Sequence, residues 1–269
     1  MLQQQIKVDG KNIFYTIEGT GETVILLHGF GEDCNIWKNQ IPSLTSYNLI
    51  VPDLPGSGSS EMITDMTMEG LAEAVKAILD KEKIEKCILI GHSMGGYIAL
   101  AFAEKYAPML SGLGLFHSTA FADGEEKINT RKKGIQFMKD NGALTFLKNM
   151  IPGLYSEESK KNNFKLIEQH LESAKSLSKE ALIAYYESMI RRPDRTNVLK
   201  TSTVPVLFIA GKDDAAVPLE DILTQSHLPD VSFIYILEHS GHMGMVEEVE
   251  KANEIFVTFI AACENQLFT

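Results

Sequence analysis

Cysteine is scarce and scattered. Cys34, Cys87 and Cys263 are an odd number, widely spaced, with no Cys-x-x-Cys pair and no histidine at zinc-ligand spacing. Neither a disulfide framework nor a structural metal site is expected from them. Long apolar runs are also missing. No window approaches the roughly 18 uninterrupted apolar residues of a membrane span, and Met1-Leu2-Gln3-Gln4-Gln5 lacks the basic and then apolar run of a signal peptide. The compartment expected is therefore the cytoplasm. Positive charge is in deficit: 25 Lys and Arg stand against 36 Asp and Glu, a formal net charge of −11. Phosphate affinity depends on clustered Lys and Arg, so neither a nucleic acid nor an anionic membrane surface is expected as a partner. No phosphate-binding Gly-x-x-x-x-Gly-Lys loop, His-Glu-x-x-His pair or dinucleotide fingerprint occurs, and no cofactor or metal is expected.

What remains is the composition of a globular chain, 44% hydrophobic and 23% charged. At 269 residues it suits one large α/β domain or a smaller domain carrying an insertion. Short apolar runs at 23–28, 48–51, 87–90, 113–116, 204–209 and 231–237 alternate with helical patterns at 68–81, 95–106 and 246–263. Most of the runs are rich in Val, Ile, Leu or Phe, as strands covered on both faces of a parallel sheet should be. Residues 5–9 and 12–18, joined by Gly10-Lys11, read instead as an antiparallel hairpin at the sheet edge. Residues 119–197 contain no convincing strand, only helical stretches around 125–139, 144–150, 160–173 and 179–191, with Asp123-x-x-Glu126 and Ser178 as candidate N-caps. The reading is a sheet-and-helix core, 1–118 and 198–269, interrupted by a helical insertion at 119–197.

The densest chemistry lies where the run at 87–90 meets a helix through Gly91-His92-Ser93-Met94-Gly95. A serine on so tight a turn needs small residues two before and two after it, and its hydroxyl projects at a helix N-terminus, where developing negative charge is favoured. The same pattern also occurs at glycine-rich junctions with no chemistry. A serine nucleophile needs a base, and the base an orienting carboxylate. Asp214, in Gly211-Lys-Asp-Asp214, and His242, in Ser240-Gly241-His242, follow in that order, each just past an apolar run.

These pieces resemble the α/β-hydrolase family. With His28-Gly29-Phe30-Gly31 and Asp53-Leu-Pro-Gly56-Ser-Gly58 they make five matches in order, spread over nearly the whole chain. The resemblance implies an eight-stranded, mostly parallel sheet with an antiparallel second strand, helices on both faces, and the 119–197 insertion as a cap after the sixth strand. It implies Ser93 as nucleophile, His242 as base and then acid, and Asp214 as the acid, selected over Asp213 by its spacing from Gly211. The oxyanion would be held by the backbone N–H groups of Phe30 and Met94. His117, at a strand end, is a candidate substrate contact or a satisfied structural histidine. His28 and His92 read as structural, His170 and His227 as surface residues, and His239 lacks the Gly-His context. Cys87 reads as an inert core residue.

All four arginines, Arg131, Arg191, Arg192 and Arg195, fall in the insertion, which carries 14 Lys and Arg against 11 Asp and Glu. Arg191 and Arg192 read as helix C-terminal cations; alternatively Arg191, Arg192 and Arg195 clamp an anionic part of a substrate. The expected activity is cofactor-independent hydrolysis of a small carboxylic ester or related acyl compound. Ser93 in place of aspartate disfavours the haloalkane dehalogenase and epoxide hydrolase branches. Carbon–carbon bond hydrolysis, perhydrolysis, a lyase or synthase reaction, or a ligand receptor with little turnover stay open, as do the natural substrate and the oligomeric state.

Overall fold

The structure, a computed structural model, describes residues 2–265. Eight strands, β1 (Leu2–Val8), β2 (Lys11–Glu18), β3 (Thr23–Leu27), β4 (Asn48–Pro52), β5 (Cys87–His92), β6 (Leu110–Phe116), β7 (Val206–Gly211) and β8 (Ser232–Leu237), form one sheet in the order β1-β2-β4-β3-β5-β6-β7-β8. The β1/β2 hairpin and the β2/β4 pairing are antiparallel and the remaining pairings are parallel. Burial explains the sequence pattern. Every residue of β3, β5 and β7 is buried, so these central strands read as continuous apolar runs. The edge strand β8 leaves Ile234 and Ile236 exposed.

Helices α1 (Met68–Glu82) and α2 (Met94–Tyr106) precede the sixth strand. Thr67 caps α1 by accepting from the Gly70 N–H. Between β6 and β7 the chain forms α3 (Glu125–Asn141), α4 (Ala143–Met150), α5 (Glu157–Asn162), α6 (Phe164–Ser173), α7 (Lys179–Arg191) and α8 (Thr196–Lys200), with no strand. The chain then adds α9 (Leu219–Gln225), α10 (Gly244–Glu247) and α11 (Val249–Asn265). Ser178 caps α7 as its sequence suggests. The Asp123-x-x-Glu126 cap does not form: Gly124 is the N-cap of α3, and Asp123 turns to Arg131 and Arg192 instead. The helical pattern at 246–263 is split at Glu248, whose carboxylate is drawn back to the His239 N–H and the Ser240 hydroxyl.

Four contacts tie the β6–β7 segment to the rest of the chain. The Tyr185 hydroxyl donates to the Pro55 carbonyl at 2.5 Å, Arg195 pairs with Glu69 and Glu104, and the His242 N–H donates to the Leu154 carbonyl at 2.6 Å. No described helix is long and apolar enough to cross a membrane.

Candidate active site

Ser93 ends β5 and opens α2 in a backbone conformation, φ 50° and ψ −113°, that non-glycine residues avoid. Such strain costs on the order of 1–3 kcal/mol and persists only where the surroundings dictate it. Here they do. A Cβ on Gly91 would lie 2.2 Å from the Gly95 carbonyl carbon, and one on Gly95 2.5 Å from the Leu27 carbonyl oxygen. The turn is pinned by the Ser93 N–H donating to the Phe116 carbonyl at 2.9 Å and the Ser118 hydroxyl donating to the Ser93 carbonyl at 2.8 Å.

Asp214 and His242 sit on the loops after β7 and β8, and their side chains meet with His242 Nδ1 2.8 Å from Asp214 Oδ2. The other carboxylate oxygen, Oδ1, accepts from the Ala216 and Val217 N–H groups at 2.8 and 2.9 Å. Burial alone would raise the pKa of Asp214. The His242 imidazole, with hydrogen bonds from His117 and His242, outweighs burial and holds the carboxyl well below the usual carboxylate range. Asp213, the neighbouring alternative, points to solvent.

Ser93 and His242 open on one cavity of about 550 Å³. Phe30 lines it too, its ring stacked on Tyr186 with centroids 4.4 Å apart. Met94, whose N–H is the second expected oxyanion donor, is the first residue of α2 and is buried. The β6–β7 segment supplies much of the wall, including Lys127, Arg131, Met150, Leu154, Tyr186 and Met189. Phe137 and Phe146, in the same segment, line a separate hollow. Tyr185 is buried against Pro55, leaving its neighbour Tyr186 to face the cavity.

A buried acid–base pair absent from the sequence reading lies beneath the site. Glu32 Oε2 accepts from the Gly29 N–H at 2.6 Å and faces His92 Nδ1 at 3.0 Å, while His92 Nε2 reaches the His242 carbonyl at 2.9 Å. Burial opposes both charges, yet each stabilises the other. The Glu32 pKa falls to about 2 and that of His92 rises. Losing one partner of such a pair costs about 3–5 kcal/mol, because a charge is left buried alone. The pair couples the loop carrying Phe30, the turn carrying Ser93 and the loop carrying His242. An acidic residue four positions after His28, in a glycine-rich apolar loop, was the available signal.

Several expectations are corrected. His117 is no substrate contact: it is fully buried and lies behind Asp214, its Nδ1 3.2 Å from Oδ2, outside the cavity lining. His170 is not on the surface but 5% exposed, between the Tyr155 hydroxyl and the Gly31 carbonyl. The arginine clamp dissolves. Arg192 caps its own helix through the Met189 carbonyl and lies 2.9 Å from Asp123, Arg195 is tied to Glu69 and Glu104, and Arg191 is exposed. His227 is exposed, and so is His239, which faces Glu158; His28 is structural, accepting from the Leu54 N–H at 3.0 Å. Burial pushes the Cys87 thiol up to about 12, as befits an inert core residue.

The donor atoms of His117, Asp214 and His242 lie within 4.8 Å of one another, the one such cluster found among the described residues. Asp214 Oδ2 joins the two imidazoles, 2.8 Å from His242 Nδ1 and 3.2 Å from His117 Nδ1, and these hydrogen bonds account for the cluster.

Comparison with known proteins agrees with this fold. Residues 22–115 match the family model described as alpha/beta hydrolase fold. A thermophilic esterase from Thermogutta terrifontis is 30% identical and superposes with a TM-score of 0.91, covering 97% of this chain and 99% of its own. A 2-hydroxy-6-oxononadienedioate/2-hydroxy-6-oxononatrienedioate hydrolase from Pseudomonas sp is 25% identical over 264 residues, 89% of this chain and 88% of the relative. The 3-oxoadipate enol-lactonase 1 of Acinetobacter baylyi is 25% identical over 259 residues, 95% of each chain. With the eight-stranded sheet and the serine turn at its centre, these likenesses show that the chain belongs to the α/β-hydrolase family and is a hydrolase.

Proposed function

We propose that the protein hydrolyses small carboxylic esters, or related acyl compounds, through an acyl-enzyme on Ser93. The observation that carries this reading is the 2.8 Å Asp214–His242 pair, whose imidazole opens on the same cavity as the strained Ser93. A proton on His242 Nδ1, held by the carboxylate, leaves the Nε2 lone pair to take the Ser93 proton as Oγ attacks the carbonyl carbon. The N–H groups of Phe30 and Met94 receive the oxyanion; loss of one such donor costs about 2.7–4 kcal/mol of barrier. The imidazolium then returns its proton to the departing alcohol. Water, deprotonated by the same nitrogen, attacks the acyl carbon; the bond to Ser93 Oγ breaks, Oγ takes the proton back from the imidazolium, and the acid leaves.

In this reading residues 119–197 form a cap over a core made of 1–118 and 198–269, and the cap chooses the substrate. The cavity is within the usual small-molecule range of roughly 300–1,000 Å³. Charges of both signs line it, Lys127 and Arg131 against Glu126 and Asp221, so it imposes no single sign on the ligand. A panel of p-nitrophenyl esters from acetate to octanoate tests the reading. We expect turnover well above the enzyme-free rate, concentrated at the short acyl chains, and absence of turnover across the whole panel overturns it.

A further inference from the structure

We propose that His117 is a positioning residue that holds the Asp214 carboxylate in register with His242, a role that rests on the triad reading above. His117 follows β6 in left-handed backbone, φ 50°, a conformation uncommon outside glycine. The surroundings are built around its ring. A Cβ on Gly211 would come within 2.9 Å of that ring and 2.0 Å of the Gly241 carbonyl oxygen, and one on Gly244 within 2.6 Å of the ring and 2.3 Å of Leu237 Cδ1, so the imidazole is one of the groups that leave no room for a side chain at either place.

The ring bridges the end of β7 and the start of α10. Nε2 lies 3.1 Å from the Gly244 N–H, on the histidine side. Nδ1 lies 3.2 Å from Asp214 Oδ2 and 3.1 Å from the Gly211 N–H, on the acid side. A proton on Nδ1 donates to the carboxylate and leaves Nε2 to accept from Gly244, with only the Gly211 contact unfavourable. The opposite tautomer sets a lone pair against the carboxylate and two N–H groups against each other. The first arrangement wins by that count, and burial keeps the ring neutral by lowering its pKa to about 4. Asp214 Oδ2 thus receives two imidazole donors, and the ring that does not touch substrate fixes where the other one points. The titratable groups facing His117 are Asp214, His242 at 5.5 Å between ring centroids and His92 at 5.9 Å, with Glu32 behind His92.

The test compares His117→Leu with His117→Asn. Asparagine tolerates the left-handed backbone and places its amide N–H near the position of Nδ1, whereas leucine removes the donor. The readout is the rate of fluorophosphonate labelling of Ser93 from pH 5 to 9, with a melting curve to establish that each variant is folded. With one donor fewer, the carboxylate stabilises the His242 cation more strongly, so the midpoint of the rising limb moves up in pH. The plateau rate of His117→Leu falls about 10- to 100-fold as the acid loses its alignment, and His117→Asn recovers most of both changes. A folded His117→Leu with the wild-type midpoint and a rate within threefold overturns the proposal, as does equal loss in both variants. Failure of the wild type to label overturns the triad reading beneath it.

Discussion

Replacing Ser93 with Ala is expected to lower kcat/KM for a short p-nitrophenyl ester by roughly 10⁵-fold or more while leaving the fold intact. The size follows from the division of labour proposed for the site. Without Oγ no acyl-enzyme forms, and what remains is whatever attack by water the oxyanion donors support. The fold should survive because the turn is specified by groups the substitution does not touch: the Gly91 and Gly95 close approaches, the Ser93 N–H bond to Phe116 and the Ser118 bond to the Ser93 carbonyl. Steady-state kinetics with a melting curve check both halves. A variant within tenfold of wild type contradicts the covalent mechanism.

Asp214→Asn is expected to cost on the order of 10⁴-fold in kcat, almost as much, with little change in structure. The retained oxygen can still accept from Ala216 and Val217. The new amide would face His242 Nδ1 with a donor, forcing the proton to Nε2, and a base protonated there cannot take the proton of Ser93. The companion Asp213→Asn, at an exposed position one residue away, should remain near wild type. Equal losses in the two variants would mean that the acid had been assigned to the wrong residue.

How much of this was legible in the sequence depended on whether the constraint was local. The turn at Ser93 was legible because it is specified within five residues: only glycine fits at 91 and 95. Central strands β3, β5 and β7 were legible because burial on both faces leaves an unbroken apolar run. Asp214 was separable from Asp213 by its spacing from the strand end. The positions misread were those decided by partners distant in sequence. His117 looked like a pocket residue because it ends a strand near the site, but its neighbours Gly211 and Gly244 lie 94 and 127 residues on. Arg192 was read correctly as a helix C-terminal cation, but the anion clamp stayed open for it and for Arg195 because Asp123, Glu69 and Glu104 are far along the chain. Glu32 drew no notice because its partner His92 is 60 residues away. Facing within the β6–β7 segment turned on one step along α7, where Tyr185 is buried and Tyr186 meets the cavity.

The central claim, that Ser93 is the nucleophile activated by His242, is tested most directly by incubating the protein with a fluorophosphonate and locating the adduct by peptide mass. The account predicts one adduct per chain, on the peptide containing Ser93, lost in His242→Ala and absent from Ser93→Ala. No adduct on the native chain, or an adduct on a residue other than Ser93, contradicts it.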